Sequence, residues 1–182
     1  MKKLSFSLVL AVLLALTVGS SGTVARAGDD DVAISARMRG LGEVPPTNSK
    51  ATAEFRGTIS ADETSITYTL TWSGLTTLPL FSHIHFGPTK VNGGIMVFLC
   101  GGGGKPACTQ ATSGMASGTI TGNDIVGPVP QGIDPAPNGK FADVIRAIRT
   151  GNAYANLHTT KFPGGEVRGP VLVHREDDES QK

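Results

Sequence analysis

The chain has 182 residues, with 16 Lys and Arg against 15 Asp and Glu, 5% aromatic residues, 24 Gly and 11 Pro. No basic patch accumulates anywhere along it, which argues against nucleic acid as a partner. The N-terminus reads Met1-Lys2-Lys3, then an apolar stretch from Leu8 to Val18, then small and polar residues ending in Ala25-Arg26-Ala27. A positive start, a short apolar segment and small residues at −3 and −1 are the parts of a secretory signal peptide, predicting cleavage after Ala27. The apolar stretch is too interrupted by Ser, Thr and Gly for a membrane anchor, which needs about 20 predominantly apolar residues. With no Cys near the cut, a lipid-anchored form is not expected.

Removing residues 1–27 leaves 155, a comfortable size for one domain. The cut also takes out Lys2, Lys3 and Arg26, leaving 13 basic residues against 15 acidic, a formal −2. Acidic residues gather at the ends, in Asp29-Asp30-Asp31 and Glu176-Asp177-Asp178-Glu179. Such runs are solvated tails. The expected organisation is a signal peptide over 1–27, one domain over 28–175 and an acidic disordered tail over 176–182.

Within that domain β-type alternation dominates. Val32 to Arg39 alternates Val32, Ile34, Ala36 and Met38 with more polar neighbours, as a half-buried strand does. Ala51 to Ser60 is a second such run. Ser65 to Ser73 is the clearest: Ile66, Tyr68, Leu70 and Trp72 share one face and Thr67, Thr69 and Thr71 the other. Ala61-Asp62-Glu63-Thr64 between them predicts a hairpin turn. Phe81 to Gly87, Gly94 to Cys100, Met115 to Thr121, Ala153 to His158 and Glu166 to His174 read as further short strands. Many short strands at this spacing predict an all-β sandwich or barrel. One segment departs from the pattern: Phe141, Val144, Ile145 and Ile148 fall at i, i+3, i+4 and i+7, which predicts one amphipathic helix near 140–149 ended by Gly151. Gly127 to Gly139, with four prolines, predicts the loop before it.

Cys100 and Cys108, the only cysteines, bracket GGGGKPA. In an oxidising compartment so close a pair predicts a disulfide, worth roughly 2–3 kcal/mol. The spacing matches no common zinc pair. The glycine run followed by Lys105 is not a phosphate loop either, because Pro106 stands where Ser or Thr is required.

Of the four histidines, three are placed to act together. In Ser82-His83-Ile84-His85-Phe86, a strand points both imidazoles to one face and Ile84 and Phe86 to the other, their Cα atoms roughly 6.6 Å apart. Two imidazoles can bridge that span to one metal ion. In Ala153 to His158, Tyr154, Asn156 and His158 share a face. If the two strands are neighbours, His83, His85 and His158 converge into a candidate site for copper or zinc; otherwise the rings bond to loops or face solvent. His174, at the start of the tail, is a bystander. Glu166 and Arg168, after the Pro163-Gly164-Gly165 turn, are read as sharing one strand face. Their role is either a structural ion pair or a hydrogen bond clamping a neighbouring loop, or a functional one in which Arg168 attracts anions and Glu166 is a ligand or a partner of a ligating histidine.

Leu41-Gly42-Glu43-Val44-Pro45-Pro46, His83-Ile84-His85-Phe86-Gly87, Gly151 to Thr159 and Phe162-Pro163-Gly164-Gly165-Glu166-Val167-Arg168-Gly169 resemble the hallmarks of the chordin-type (CHRD) domain over about Ile34 to Leu172. The resemblance implies a secreted or periplasmic bacterial protein with a β-sandwich domain, and it implies no known activity. A more distant similarity is to the Cu/Zn superoxide dismutase sandwich, immunoglobulin-like, with His83, His85 and His158 standing for copper ligands and Arg168 for the guiding arginine. The dismutase zinc loop and a fourth copper ligand are missing, so dismutase activity is not expected. Two functions are weighed. The leading one is a non-enzymatic binding or structural module with a protein or small-molecule partner that the sequence does not name. The second is a mononuclear copper or zinc site on His83, His85 and His158. A minor third is a surface of Glu43, Glu166 and Arg168 that recognises a small ligand or carbohydrate.

Overall fold

The structure, a computed structural model, describes residues 30–174. The expected signal peptide, its cleavage site and the acidic tail lie outside the described residues. The strands are β1 (Val32–Arg39), β2 (Thr52–Ile59), β3 (Ser65–Ser73), β4 (Pro79–Phe86), β5 (Gly94–Cys100), β6 (Gly114–Thr121), β7 (Ala153–Thr159), β8 (Val167–Pro170) and β9 (Leu172–Val173), with one α-helix, α1 (Phe141–Arg149). The expected all-β fold with a single helix near 140–149 is what forms.

All pairs are antiparallel, in the order β5-β4-β7-β8-β1-β2-β3-β6, with β9 also on β1. The β2–β3 hairpin runs in unbroken register from Thr52↔Ser73 to Ile59↔Ile66. β6 continues this half from Ser65↔Thr121 to Trp72↔Gly114. The last described segment is the seam. Its β8 part pairs with β7, from Tyr154↔Pro170 to Leu157↔Val167, and with β1 at Arg39↔Arg168, while β9 pairs Ile34↔Val173. The single strand read over Glu166 to His174 is interrupted at Val171, whose N–H donates to Ala153 O on β7 instead. The two outer edges nearly meet: Val97 of β5 bridges Ile125, and the Tyr68 hydroxyl donates to Leu99 O at 2.6 Å.

Between the two halves of this curled sheet lies one core. Ile34, Met38, Phe55, Ile66, Leu70 and Trp72 supply it from one side; Ile84, Ala155 and Leu157 supply it from the other. Period-two alternation puts those residues there and turns the intervening threonines and arginines outward. Helix α1 adds Val144, Ile145, Ala147 and Ile148 to the same core. Gly151, at φ +71, ends it in the left-handed conformation that a glycine adopts without a Cβ penalty. Before it, the proline-rich stretch contains only the short 3-10 turn Val129–Gln131.

Candidate functional site

The two halves of the sheet differ on their outer faces. That of β1, β2, β3 and β6 is exposed. That of β4, β7 and β8 is buried beneath loops, and every residue of β7 is buried. Since Ile84, Ala155 and Leu157 point into the core, the alternate residues Phe81, His83 and His85 of β4 and Tyr154, Asn156 and His158 of β7 fill the space under the loops. The strands are direct neighbours, with His83 opposite Asn156, His85 opposite Tyr154 and Phe81 opposite His158.

His83, His85 and His158 come together, offering one nitrogen each within 4.8 Å of one another. The His83 ring centroid is 4.4 Å from that of His85 and 4.6 Å from that of His158. A metal with M–N near 2.0–2.1 Å sets its donors roughly 3.3–4.2 Å apart, so ring rotations of about 1 Å or less would close the set. Two backbone carbonyls fix the tautomers. His85 Nδ1 lies 2.8 Å from Gly93 O and His158 Nδ1 lies 2.9 Å from Pro163 O. A carbonyl only accepts, so each Nδ1 carries the proton and each Nε2 keeps its lone pair. His158 Nε2 and His83 Nδ1 are buried with no hydrogen-bond partner among the described residues. Buried polar atoms without a partner are rare in folded proteins, and an ion is one of the few things that explains them. His85 Nε2 faces Asn156 Oδ1 at 3.2 Å. With Nδ1–H already committed to Gly93, that contact sets one acceptor against another, and a cation on Nε2 or a reversed amide would relieve it.

Burial pushes the His83 imidazole down to about 2, reinforced by the neighbouring His85 and His158. It pushes His85 down to about 4 against the opposing bond to Gly93, and lowers His158 as well. All three are therefore neutral at physiological pH, the form that ligates metals. Phe81 and Phe98 wall the cluster on the β5 side, 5.4 and 5.1 Å from His83. Gly102 and Gly103 of the disulfide loop pack closely against the Phe98 ring. Cys100 and Cys108 are bonded to each other.

On the other side a stack runs outward from His85. Tyr154 lies parallel to it at 4.6 Å, and the Arg168 guanidinium sits over the far side of Tyr154 at 4.4 Å. Arg168 Nε is 2.8 Å from Glu43 Oε2; the N–H is not aimed along that line, so the contact is an ion pair rather than a well-formed hydrogen bond. Arg168 also donates to Asn92 Oδ1, Thr89 O and Val91 O, pinning the loop after β4. Burial raises Glu43, and Arg168 opposes the rise.

Glu166 goes elsewhere. It precedes β8 rather than lying in it, after Gly165 at φ +124, so strand alternation does not set its direction. Its carboxylate accepts from Ser49 Oγ, Thr76 N, Thr76 Oγ1 and Thr159 Oγ1. These contacts make it a loop clamp and not a neighbour of Arg168 or the histidines. Glu43, Glu166 and Arg168 are all buried, so together they present no open ligand surface. His174 packs on the opposite, exposed sheet face against Ser35 Oγ at 2.7 Å. Phe81, Tyr154 and Asn156 were legible as sharing the histidine faces by period two, though the sequence alone gave them no role. Asn92, Gly93 and Phe98 carry no such signal, because a loop and a bulged pairing place them.

Neither the curated proteins nor the solved structures hold a significant match to the chain. The family model for the CHRD domain matches residues 34–171, from the first core residue of β1 to the seam that carries Arg168. The span takes in every strand of the histidine face and all the loops that bury it, and the chain belongs to the CHRD domain family.

Proposed function

We propose that this CHRD domain is a non-enzymatic metal-binding module that holds one copper or zinc ion on His83 Nδ1, His85 Nε2 and His158 Nε2. The observation that carries this reading is the pair of buried, unpartnered nitrogens, His83 Nδ1 and His158 Nε2, within reach of the third imidazole. Gly93 O and Pro163 O supply what metal-bound histidines ordinarily need on their other nitrogen. A bound ion would cross-link β4 to β7 and add its binding free energy to stability.

The same reading has residues 1–27 exporting the protein by a signal peptide cleaved after Ala27. The disulfide between Cys100 and Cys108 fits an oxidising destination, and among the described residues no helix is long and apolar enough to cross a membrane. N-terminal sequencing of exported protein should begin at Gly28.

Elemental analysis of protein loaded with excess copper and zinc and then dialysed tests the metal reading. One ion per chain is expected for the natural sequence and none for His158→Ala. Protein that stays metal-free with all three histidines intact refutes it.

A further inference from the structure

The histidine cluster also specifies which ion it takes. From the charge balance around it, we infer that the site selects Cu(I) over Zn(II) and Cu(II), an inference that rests on the metal reading above.

Every donor within reach is neutral. The cluster is three imidazoles, and Asn156, opposite His83, can add only an amide oxygen. The buried carboxylates among the described residues are engaged elsewhere: Glu43 in the ion pair with Arg168, and Glu166 in hydrogen bonds from Ser49, Thr76 and Thr159. Both cysteines are locked in the disulfide, so no thiolate can balance charge. A dication would therefore keep its full charge inside the cluster, whereas a monocation keeps half as much.

The surroundings penalise that difference. His83, His85 and His158 are 1%, 8% and 6% exposed, and the rings of Phe81, Phe98 and Tyr154 pack directly against His83 and His85. The cost of moving an ion from water into such a medium grows with the square of its charge, about four times as much for a dication as for a monocation. The Arg168 guanidinium, stacked beyond Tyr154, adds positive potential that its Glu43 partner cancels but does not reverse.

Coordination number points the same way. Zn(II) takes four ligands, and with three protein ligands the fourth position goes to water or substrate; Cu(II) prefers a tetragonal set that includes oxygen donors. The three histidines are buried, so bulk water has little access to hydrate a further position. Cu(I) is satisfied by a small set of neutral nitrogen donors and needs neither added water nor an added anion.

The test is anaerobic titration of the full chain with Cu(I) supplied as its bicinchoninate complex, followed by absorbance as the protein withdraws the ion, with Zn(II) and Cu(II) titrations in parallel. One Cu(I) per chain is expected, held at least about 100-fold more tightly than either dication, and not displaced by an equal concentration of Zn(II). His158→Ala should lose that preference. Phe98→Asp, which places an anion beside His83, should move it toward Zn(II), with circular dichroism confirming the fold. Zn(II) that binds as tightly as Cu(I), or displaces it, overturns the selectivity while leaving the metal site standing. A chain that takes up no ion of any kind removes the site and this inference together.

Discussion

A buried carboxylate and a buried guanidinium lie side by side at Glu43 and Arg168, 2% and 3% exposed. Neither could be left without the other at low cost, since breaking a buried pair typically costs about 3–5 kcal/mol. Glu43→Gln should therefore lower the stability measured by urea denaturation by about 3 kcal/mol. The histidines act through protons. In the metal-free protein the folded state holds His83 neutral down to about 2 and His85 neutral down to about 4. An unfolded histidine takes its proton near pH 6.5. Between about pH 4 and 6.5 the unfolded chain therefore binds more protons than the folded one, so stability falls as pH falls through this window and is flat above it. The slope should reach up to about 1.4 kcal/mol per pH unit for each histidine. Thermal melts from pH 7.5 to 4.5 measure it, and His83→Phe should make the slope shallower.

At the scale of elements, loops decide how the polar face of β4 and β7 is covered. The turn at Gly40–Gly42 carries the chain across β8 so closely that a Cβ on Gly42 would meet Arg168 O at 2.2 Å. The turn before β8 is equally tight. Gly165 has φ +124, and a Cβ there would meet Glu43 Oε1 at 2.4 Å. Gly165→Ala combines backbone strain with a clash against a buried carboxylate and should cost about 2 kcal/mol or more in chemical denaturation. An alanine there that left stability unchanged would mean the loop does not hold Glu43 in place. Glu166 anchors the other end of the same turn, accepting four hydrogen bonds from three different loops and strands. Helix α1 is tied at its C-terminal end by the ion pair of Arg149 with Glu63 in the β2–β3 turn.

Across residues 30–174, one curled sheet with its edges almost joined surrounds a single core, so much of the stability is shared among its strands. The disulfide is an exception: it closes only the loop between the end of β5 and Cys108. Cys100→Ser with Cys108→Ser should lower stability by roughly 2–3 kcal/mol through the freedom regained by the unfolded chain, without disrupting the sheet. Circular dichroism and urea unfolding of the double variant check both halves of that statement.

By itself the sequence determined what depends on near neighbours in the chain. Period-two alternation set the faces of β1, β3, β4 and β7, and the i, i+3, i+4, i+7 spacing from Phe141 to Ile148 set the one helix. It therefore also set that His83 and His85 share a side, and that Tyr154, Asn156 and His158 share another. Only the tertiary structure decided that β4 lies beside β7, more than sixty residues later, and that loops bury this polar face while leaving the threonine face of β3 open. Tertiary structure also separated Glu166 from Arg168. The spacing of two suggested a common face, but Glu166 lies before the strand, where the backbone of Gly165 rather than the pleat sets the direction. Side-chain direction within a strand is fixed by local geometry, but the choice of neighbouring strand and of covering loop depends on burying the whole core. No stretch of a few residues encodes that.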